Sequence, residues 1–105
     1  MAFASVPRDN YVVTQGWDSI RTVKSTSFGH RAYCGQCGTP LYMRVDYQPD
    51  TTDFSAPTLD DPGLVSPEFH IFWASRVPWF PEDSLPKFDR FRPDTRGLEG
   101  TEPPA

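Results

Sequence analysis

The sequence predicts a small domain that is mainly β. Twelve prolines and seven glycines in 105 residues leave little room for long helices. Short runs of β-branched and aromatic residues are separated by turn signals such as Gln-Gly and Asp-Pro-Gly. The aromatic fraction of 14% offers Phe, Tyr and Trp for a core. We expect one domain over residues 1–91, because this length is ordinary for a single small domain.

Each predicted element is short. The predicted strands are residues 11–14, 20–24, 31–33, 41–45, 53–56 and 69–73. Turns are predicted at 25–30 and at the Asp-Asp-Pro-Gly run of 60–63. Residues 83–91 are expected to hold a short helical turn at most, since Pro86 limits it. The tail at 92–105 is polar and rich in Pro, Gly and Glu, which predicts disorder.

Charge and hydropathy exclude several classes of partner. The net charge is −4, and no Lys or Arg run suggests a nucleic-acid or anionic membrane surface. No apolar stretch approaches the roughly 20 residues of a membrane span. The first ten residues lack the basic segment and apolar run of a signal peptide. We therefore expect a cytoplasmic protein that binds neither nucleic acid nor membrane.

The strongest local motif is the pair Cys34 and Cys37, the two cysteines of the chain, each followed by glycine. A C-x-x-C turn lets two thiolates reach one ion, and Gly38 suits the left-handed backbone that such a turn often needs. With a strand predicted on each side, this pattern favours a zinc knuckle at a hairpin tip. Cys34 and Cys37 are thus the predicted metal ligands.

Two alternatives to the metal knuckle stay open. C-G-Q-C is similar to redox-active C-G-x-C motifs, although Gly38 and Pro40 disfavour the helix that lowers the pKa of the first thiol in those motifs. The pair could also be inert or form a disulfide. One C-x-x-C is only half of a tetrahedral site, and His30 and His70 are the other soft donors. A solvated turn histidine and a hydrogen-bonded strand histidine are the favoured interpretations of these two residues.

Other conspicuous residues have plain structural interpretations. Asp60 and Asp61 are expected to cap backbone N–H groups in a turn. Trp73, Trp79 and Phe80 are expected to pack in an aromatic core, with a small-ligand pocket as the alternative.

A set of motifs resembles one known family. The order S-x-x-x-R-x-[FY]-C-x-x-C-G-[TS]-x-L is present from Ser27 to Leu41. It is followed by L-D-D-P at 59–62, P-E-F-H-I at 67–71 and Trp-Phe at 79–80. Over residues 2–91 this resembles the C-terminal part of the glutathione-dependent formaldehyde-activating enzyme family, which includes the centromere protein V domain.

The resemblance implies a β-tent fold of small antiparallel sheets and two zinc sites. A structural zinc is held by an N-terminal C-x-C together with the C-x-x-C that corresponds to Cys34 and Cys37. A labile zinc is held by a C-x-C-x-x-C between these elements. The implied activity is carbon–sulfur lyase chemistry on glutathione adducts of formaldehyde or similar small aldehydes, and a small glutathione-like thiol is the implied ligand.

This chain departs from the family pattern, because both upstream cysteine motifs are absent from the 105 residues. Residues 1–7 resemble the end of the segment that follows the second motif, so Met1 looks like an internal methionine of a longer domain. We therefore assign no catalytic residue and expect this chain to be inactive. The alternative is a non-catalytic zinc-bridged dimerisation or interaction module, in which a second copy or a missing N-terminal segment completes the zinc site.

Overall fold

The fold described here is that of a computed structural model, which describes residues 2–92. These residues fall into two compact units that divide between Val65 and Ser66. We call residues 2–65 the sheet unit and residues 66–92 the aromatic unit. The expected disorder of the tail concerns residues 93–105, which lie outside the described residues.

The sheet unit is built on one antiparallel sheet of five strands in the order β1-β5-β4-β3-β2. The strands are β1 (Phe3–Pro7), β2 (Ile20–Lys24), β3 (Gly29–Cys34), β4 (Pro40–Val45) and β5 (Thr51–Ser55). Short 3-10 turns lie at Arg8–Asn10, Trp17–Ser19, Ala56–Thr58, Pro62–Leu64 and, in the aromatic unit, Trp73–Ser75. The prediction of a mainly β protein is confirmed, and the predictions at 20–24, 31–33, 41–45 and 53–56 correspond to β2–β5.

One strand predicted in the sheet unit was wrong, and one observed strand was missed. Residues 11–14 are a loop rather than a strand, and the Tyr11 ring packs on Tyr42 and Phe54 with centroids 5.1 and 6.0 Å away. The strand beside β5 is instead β1, whose Phe3 pairs with Ser55. A strand needs a partner, and the edge of β5 is occupied by a segment about 50 residues away in sequence, which local patterns do not reveal.

The interior of the sheet unit is small and partly polar. Ala32 is the buried hydrophobic residue among those described, whereas Thr52, Asp53 and Ser55 of β5 are buried polar residues. The Asp53 carboxylate accepts a hydrogen bond from the Ser5 hydroxyl of β1, and Thr52 Oγ1 accepts one of 3.1 Å from Arg44. Buried polar groups need such partners, so side-chain hydrogen bonds tie β5 to both neighbouring strands.

The aromatic unit pairs two short segments without forming a regular strand. His70 N–H donates to Pro86 O at 2.9 Å, and Phe88 N–H donates to His70 O at 2.9 Å. The strand predicted at 69–73 is reduced to this single bridge, because Phe72 has a left-handed backbone (φ 52°) and a 3-10 turn follows it. Residues 83–91 form no helix.

Among residues 2–92, no helix is long and apolar enough to cross a bilayer.

Candidate metal site and the surrounding residues

The cysteine pair lies in the turn between two neighbouring strands. Cys34 is the last residue of β3, Cys37 lies in the turn, and β4 begins at Pro40. The register between β3 and β4 shifts by one residue at Ala32/Tyr33, next to this turn. The regular pairing of the two strands is thus interrupted where the chain enters the cysteine turn. The predicted position of the pair at a hairpin tip is therefore correct.

Backbone hydrogen bonds fix the shape of the turn. Gly38 N–H donates to Cys34 O at 2.8 Å, and Cys34 N–H donates to Thr39 O at 2.9 Å. Gly38 has φ +79°, a conformation that residues with a Cβ adopt only with strain. The glycine after the second cysteine thus serves the conformational role that the sequence predicted for it.

The cysteine turn is also hydrogen-bonded to the segment that precedes β2. Gly35 N–H donates to Ser19 O at 2.8 Å, and the Gln36 amide donates to Ser19 Oγ at 3.0 Å. A Cβ on Gly35 would lie 2.9 Å from both Ser19 O and Arg21 Cγ, closer than such atoms normally approach. Gly35 is therefore required by close packing. Sequence reasoning missed Ser19, because nothing near it in sequence indicates a partner 16 residues away.

The two thiols are reduced and accessible. Cys34 is half-buried and Cys37 is exposed, and both are free of disulfide bonding. Cys37 Sγ lies 3.1 Å from the Thr39 hydroxyl. Hydrogen bonds from the Thr39 hydroxyl, from the Thr39 backbone and from the Cys34 thiol lower the pKa of Cys37, in that order of effect. This favours the thiolate, which is the form that binds metals.

The neighbouring residues do not complete a zinc site. Structural zinc takes four N or S ligands, and no group of three or more Cys, His, Asp or Glu residues within 2–92 is arranged to hold a metal ion. His30 lies on β3 rather than in the expected turn, roughly 13 Å from Cys34 at the usual rise of a strand. Its ring is hydrogen-bonded to Asp46 at 2.9 Å. On its own, the described part of the chain fits half of a four-ligand site.

A second cluster of ionisable side chains occurs in the aromatic unit. His70 Nε2 is 2.7 Å from Asp83 Oδ2, and Lys87 Nζ is 3.1 Å from Asp83 Oδ1. The His70 ring also contacts Trp73 and Phe80, with centroids 5.1 and 5.7 Å away. This agrees with the prediction of a histidine whose ring is hydrogen-bonded.

The Asp83 carboxylate is the centre of this second cluster. The hydrogen bond from His70, with smaller contributions from the Leu85 N–H and from Lys87, lowers the pKa of Asp83 to about 2. Lys87 Nζ also donates to the carbonyl oxygens of Asp83 and Leu85 at 2.6 and 2.8 Å. The polar groups of this cluster satisfy one another.

The remaining candidates have simple placements. Asp61 Oδ1 accepts a hydrogen bond of 3.0 Å from Gly63 N–H, which confirms the expected capping role of the Asp-Asp-Pro-Gly turn. Trp73 and Phe80 form an edge-to-face pair at 5.8 Å, but Phe80 is 41% exposed, so the pair lies at the surface rather than in the predicted aromatic core. Trp79 is 79% exposed, so its predicted place in that core was wrong.

The sheet and the cysteine turn were compared with known protein families and solved structures. No solved structure matches the chain. The sequence model of one family, described as glutathione-dependent formaldehyde-activating enzyme, matches residues 1–75. The match includes all five strands and the cysteine turn, and it covers more than half of the 105 residues. The chain therefore belongs to the glutathione-dependent formaldehyde-activating enzyme family.

Proposed function

We propose that this chain is a zinc-binding domain in which Cys34 and Cys37 supply two of the four ligands of a structural zinc. The observation that carries the proposal is the pair of free thiols on one hydrogen-bonded turn, where the Cys37 pKa is lowered. Thiolates are strong zinc ligands, and a fixed turn reduces the entropy lost when both bind one ion. The other two ligands come from outside the described residues.

The family's chemistry is carbon–sulfur bond formation or cleavage on glutathione adducts of formaldehyde or similar small aldehydes. Such a reaction needs a metal with an open coordination position, which polarises a carbonyl or binds a thiolate. The 105 residues hold two cysteines, and both are used in the structural half-site. We therefore expect the purified chain, with zinc added, to form no S-hydroxymethylglutathione beyond the spontaneous reaction. Protein-dependent turnover that disappears in Cys34→Ser would contradict this.

The alternative function is a zinc-bridged dimer. Cys37 is exposed at a hairpin tip, so two copies related by a two-fold axis could each contribute two thiolates to one tetrahedral ion. This arrangement needs no further donor, and it would make the domain an interaction module rather than an enzyme.

Metal analysis combined with native mass spectrometry tests both proposals. A dimer with about half a zinc per chain supports the bridge, because that is the ratio of a four-thiolate site shared by two chains. A monomer with one zinc that is readily removed by a chelator supports the half-site without the bridge. A Cys34→Ser/Cys37→Ser variant is the control. Equal zinc content in this variant would contradict the whole proposal.

A further inference from the structure

A cleft in the sheet unit lies between the loop of residues 10–16 and the sheet, with a volume of about 680 Å³. Each strand of the sheet contributes one residue to its wall; in order from β1 to β5 these are Val6, Ile20, Cys34, Leu41 and Phe54. A volume of this size is within the range of small-molecule sites. Cys34 also places the cysteine turn at the margin of this cleft.

The walls of the cleft are mainly apolar. The Tyr11 ring covers Phe54 and Tyr42, and Val12 and Val13 extend the apolar surface along the loop. Burial raises the pKa of Tyr11 above its usual value, with Tyr42 adding to the shift and Arg44 opposing it. The Tyr11 hydroxyl therefore stays neutral at physiological pH.

Apart from the ionisable thiol of Cys34, the polar groups of the cleft are uncharged. They are amides, as in Asn10, Gln15 and Gln36, and hydroxyls, as in Ser19. Among the sixteen described residues that line the cleft, none carries a carboxylate, ammonium, guanidinium or imidazole group. Such a surface can hydrogen-bond one polar end group of a ligand, but it has no counter-ion for a charged ligand.

This composition discriminates between ligand classes. Glutathione carries two carboxylates and one ammonium group, and moving an ion from water to an apolar wall without a partner charge is strongly unfavourable. An uncharged aliphatic molecule loses little hydration and gains by removing its apolar surface from water. The lining therefore favours neutral ligands over glutathione itself.

We propose that this cleft binds an uncharged, medium-chain aliphatic molecule with one hydrogen-bonding end group, such as an alcohol or an aldehyde. The aliphatic chain lies against Tyr11, Leu41 and Phe54, and the end group bonds the amides and hydroxyls of the rim. This binding goes beyond the zinc-binding function proposed above and does not depend on it.

A matched pair of ligands tests the proposal on the metal-free, reduced protein. The uncharged dye N-phenyl-1-naphthylamine reports on the cleft by its fluorescence, and 1-octanol and S-octylglutathione compete with it. Both competitors carry the same eight-carbon chain, but only the second carries the charged tripeptide. We expect 1-octanol to displace the dye at concentrations at least about tenfold lower, because the charged groups find no partners. Absence of dye binding, or equal or better displacement by S-octylglutathione, overturns the proposal.

Two valine variants locate the binding site. Val13 lines the cleft and is 36% exposed, whereas Val23 is 49% exposed on β2 and lies outside the cleft lining. Val13→Glu should weaken dye binding by at least about tenfold, because it adds a carboxylate to the apolar wall. Val23→Glu should leave dye binding unchanged. Equal effects of the two substitutions, or no effect of Val13→Glu in a folded variant, would show that the dye binds elsewhere and would overturn the proposal.

Failure of this proposal is distinguishable from failure of the zinc proposal. The dye experiment is carried out without metal and measures ligand binding to the cleft. The zinc experiment measures the metal content and the native mass, so each result is independent of the other. Amide chemical shifts recorded on addition of 1-octanol give a second measurement. They should change within residues 10–20 and at Leu41 and Phe54, and an unchanged spectrum in these residues contradicts binding in the cleft.

Discussion

The cysteine turn of the sheet unit and the His70 cluster of the aromatic unit both concentrate ionisable groups, but they use them differently. In the turn, backbone hydrogen bonds fix the shape, and the thiols are free of disulfide bonding, with the Thr39 hydroxyl 3.1 Å from Cys37 Sγ. In the cluster, the side chains themselves form the links, with Asp83 bound to both His70 and Lys87. Ligand atoms that are not already engaged in ion pairs within the fold can bind a metal. Groups that are paired with one another stabilise the fold instead. This difference, rather than residue type, separates the candidate metal site from a structural cluster.

The largest expected effect is on zinc affinity. Cys34→Ser/Cys37→Ser should lower zinc affinity by at least about 100-fold, because both thiolate ligands are lost. His70→Gln should leave zinc affinity unchanged, since His70 is hydrogen-bonded to Asp83 and is not a ligand. Competition with a chromophoric zinc chelator measures both variants. Loss of zinc affinity in His70→Gln, with none in the cysteine double variant, would place the metal at the histidine cluster and reverse the comparison.

The next effect concerns the backbone of the turn, where two glycines are needed for different reasons. Gly38→Ala should destabilise the protein by about 1–2 kcal/mol, because φ is +79° at a position with no crowding. Gly35→Ala should cost about 1–3 kcal/mol through its clash with Ser19 O and Arg21.

Urea unfolding measures the free energy of unfolding of Gly35→Ala, Gly38→Ala and Gly38→Asn, and these values can then be compared. Asparagine tolerates the left-handed conformation better than alanine, so Gly38→Asn should be milder than Gly38→Ala. The opposite order would show that conformational strain is not what selects glycine at position 38.

The His70 cluster should respond to acid. The pKa of Asp83 is lowered from its usual 3.8 to about 2, chiefly by the hydrogen bond from His70. Because the folded value lies below the unfolded one, the stabilisation is complete above about pH 4 and is lost as the pH falls through about 2. NMR signals of His70 and the Trp73 indole, followed from pH 5 to pH 2, report this loss.

The matched substitutions for the acid response are Asp83→Asn and Glu82→Gln. Asp83→Asn should remove the change in the His70 and Trp73 signals over this pH range, since no carboxylate remains to be protonated there. Glu82 is exposed, and no ion pair to it is seen within residues 2–92. An unchanged acid response in Asp83→Asn, or its loss in Glu82→Gln, would contradict the assignment to Asp83.

The smallest effect is expected at Thr39. The Thr39 hydroxyl is the main cause of the lowered Cys37 pKa, so Thr39→Val should raise that pKa toward its usual value. The rate of iodoacetamide alkylation at fixed pH should fall, because the thiolate is the reacting form. Ser19→Ala is a suitable control, since Ser19 contacts Gln36 rather than a cysteine thiol. An unchanged alkylation rate in Thr39→Val would contradict a role of the Thr39 hydroxyl and would leave the Thr39 backbone and the Cys34 thiol as the causes.

Local patterns predicted the elements that depend on neighbours in sequence. A mix of β-branched and polar residues marked β2, and the glycines and Pro40 around the cysteines marked the turn between β3 and β4. Local sequence patterns gave wrong predictions where the conformation of a segment depends on contacts with residues far away in the sequence. Residues 11–14 have strand-like composition but line a cleft, and the left-handed backbone at Phe72 ends the aromatic strand that its sequence favours.

The sequence by itself determined the family, the mainly β class and the pair Cys34 and Cys37 as the candidate metal ligands. Only the tertiary structure decided the placement of β1 beside β5, the contact of Ser19 with the cysteine turn, and the link between His70 and Asp83. It also decided that one residue from each of the five strands, four of them apolar and the fifth Cys34, meet in one cleft. The physical reason is the sequence distance between the interacting residues. Turn conformation and thiol chemistry depend on residues a few positions apart. Strand pairing and the lining of the cleft depend on residues that are far apart in the chain.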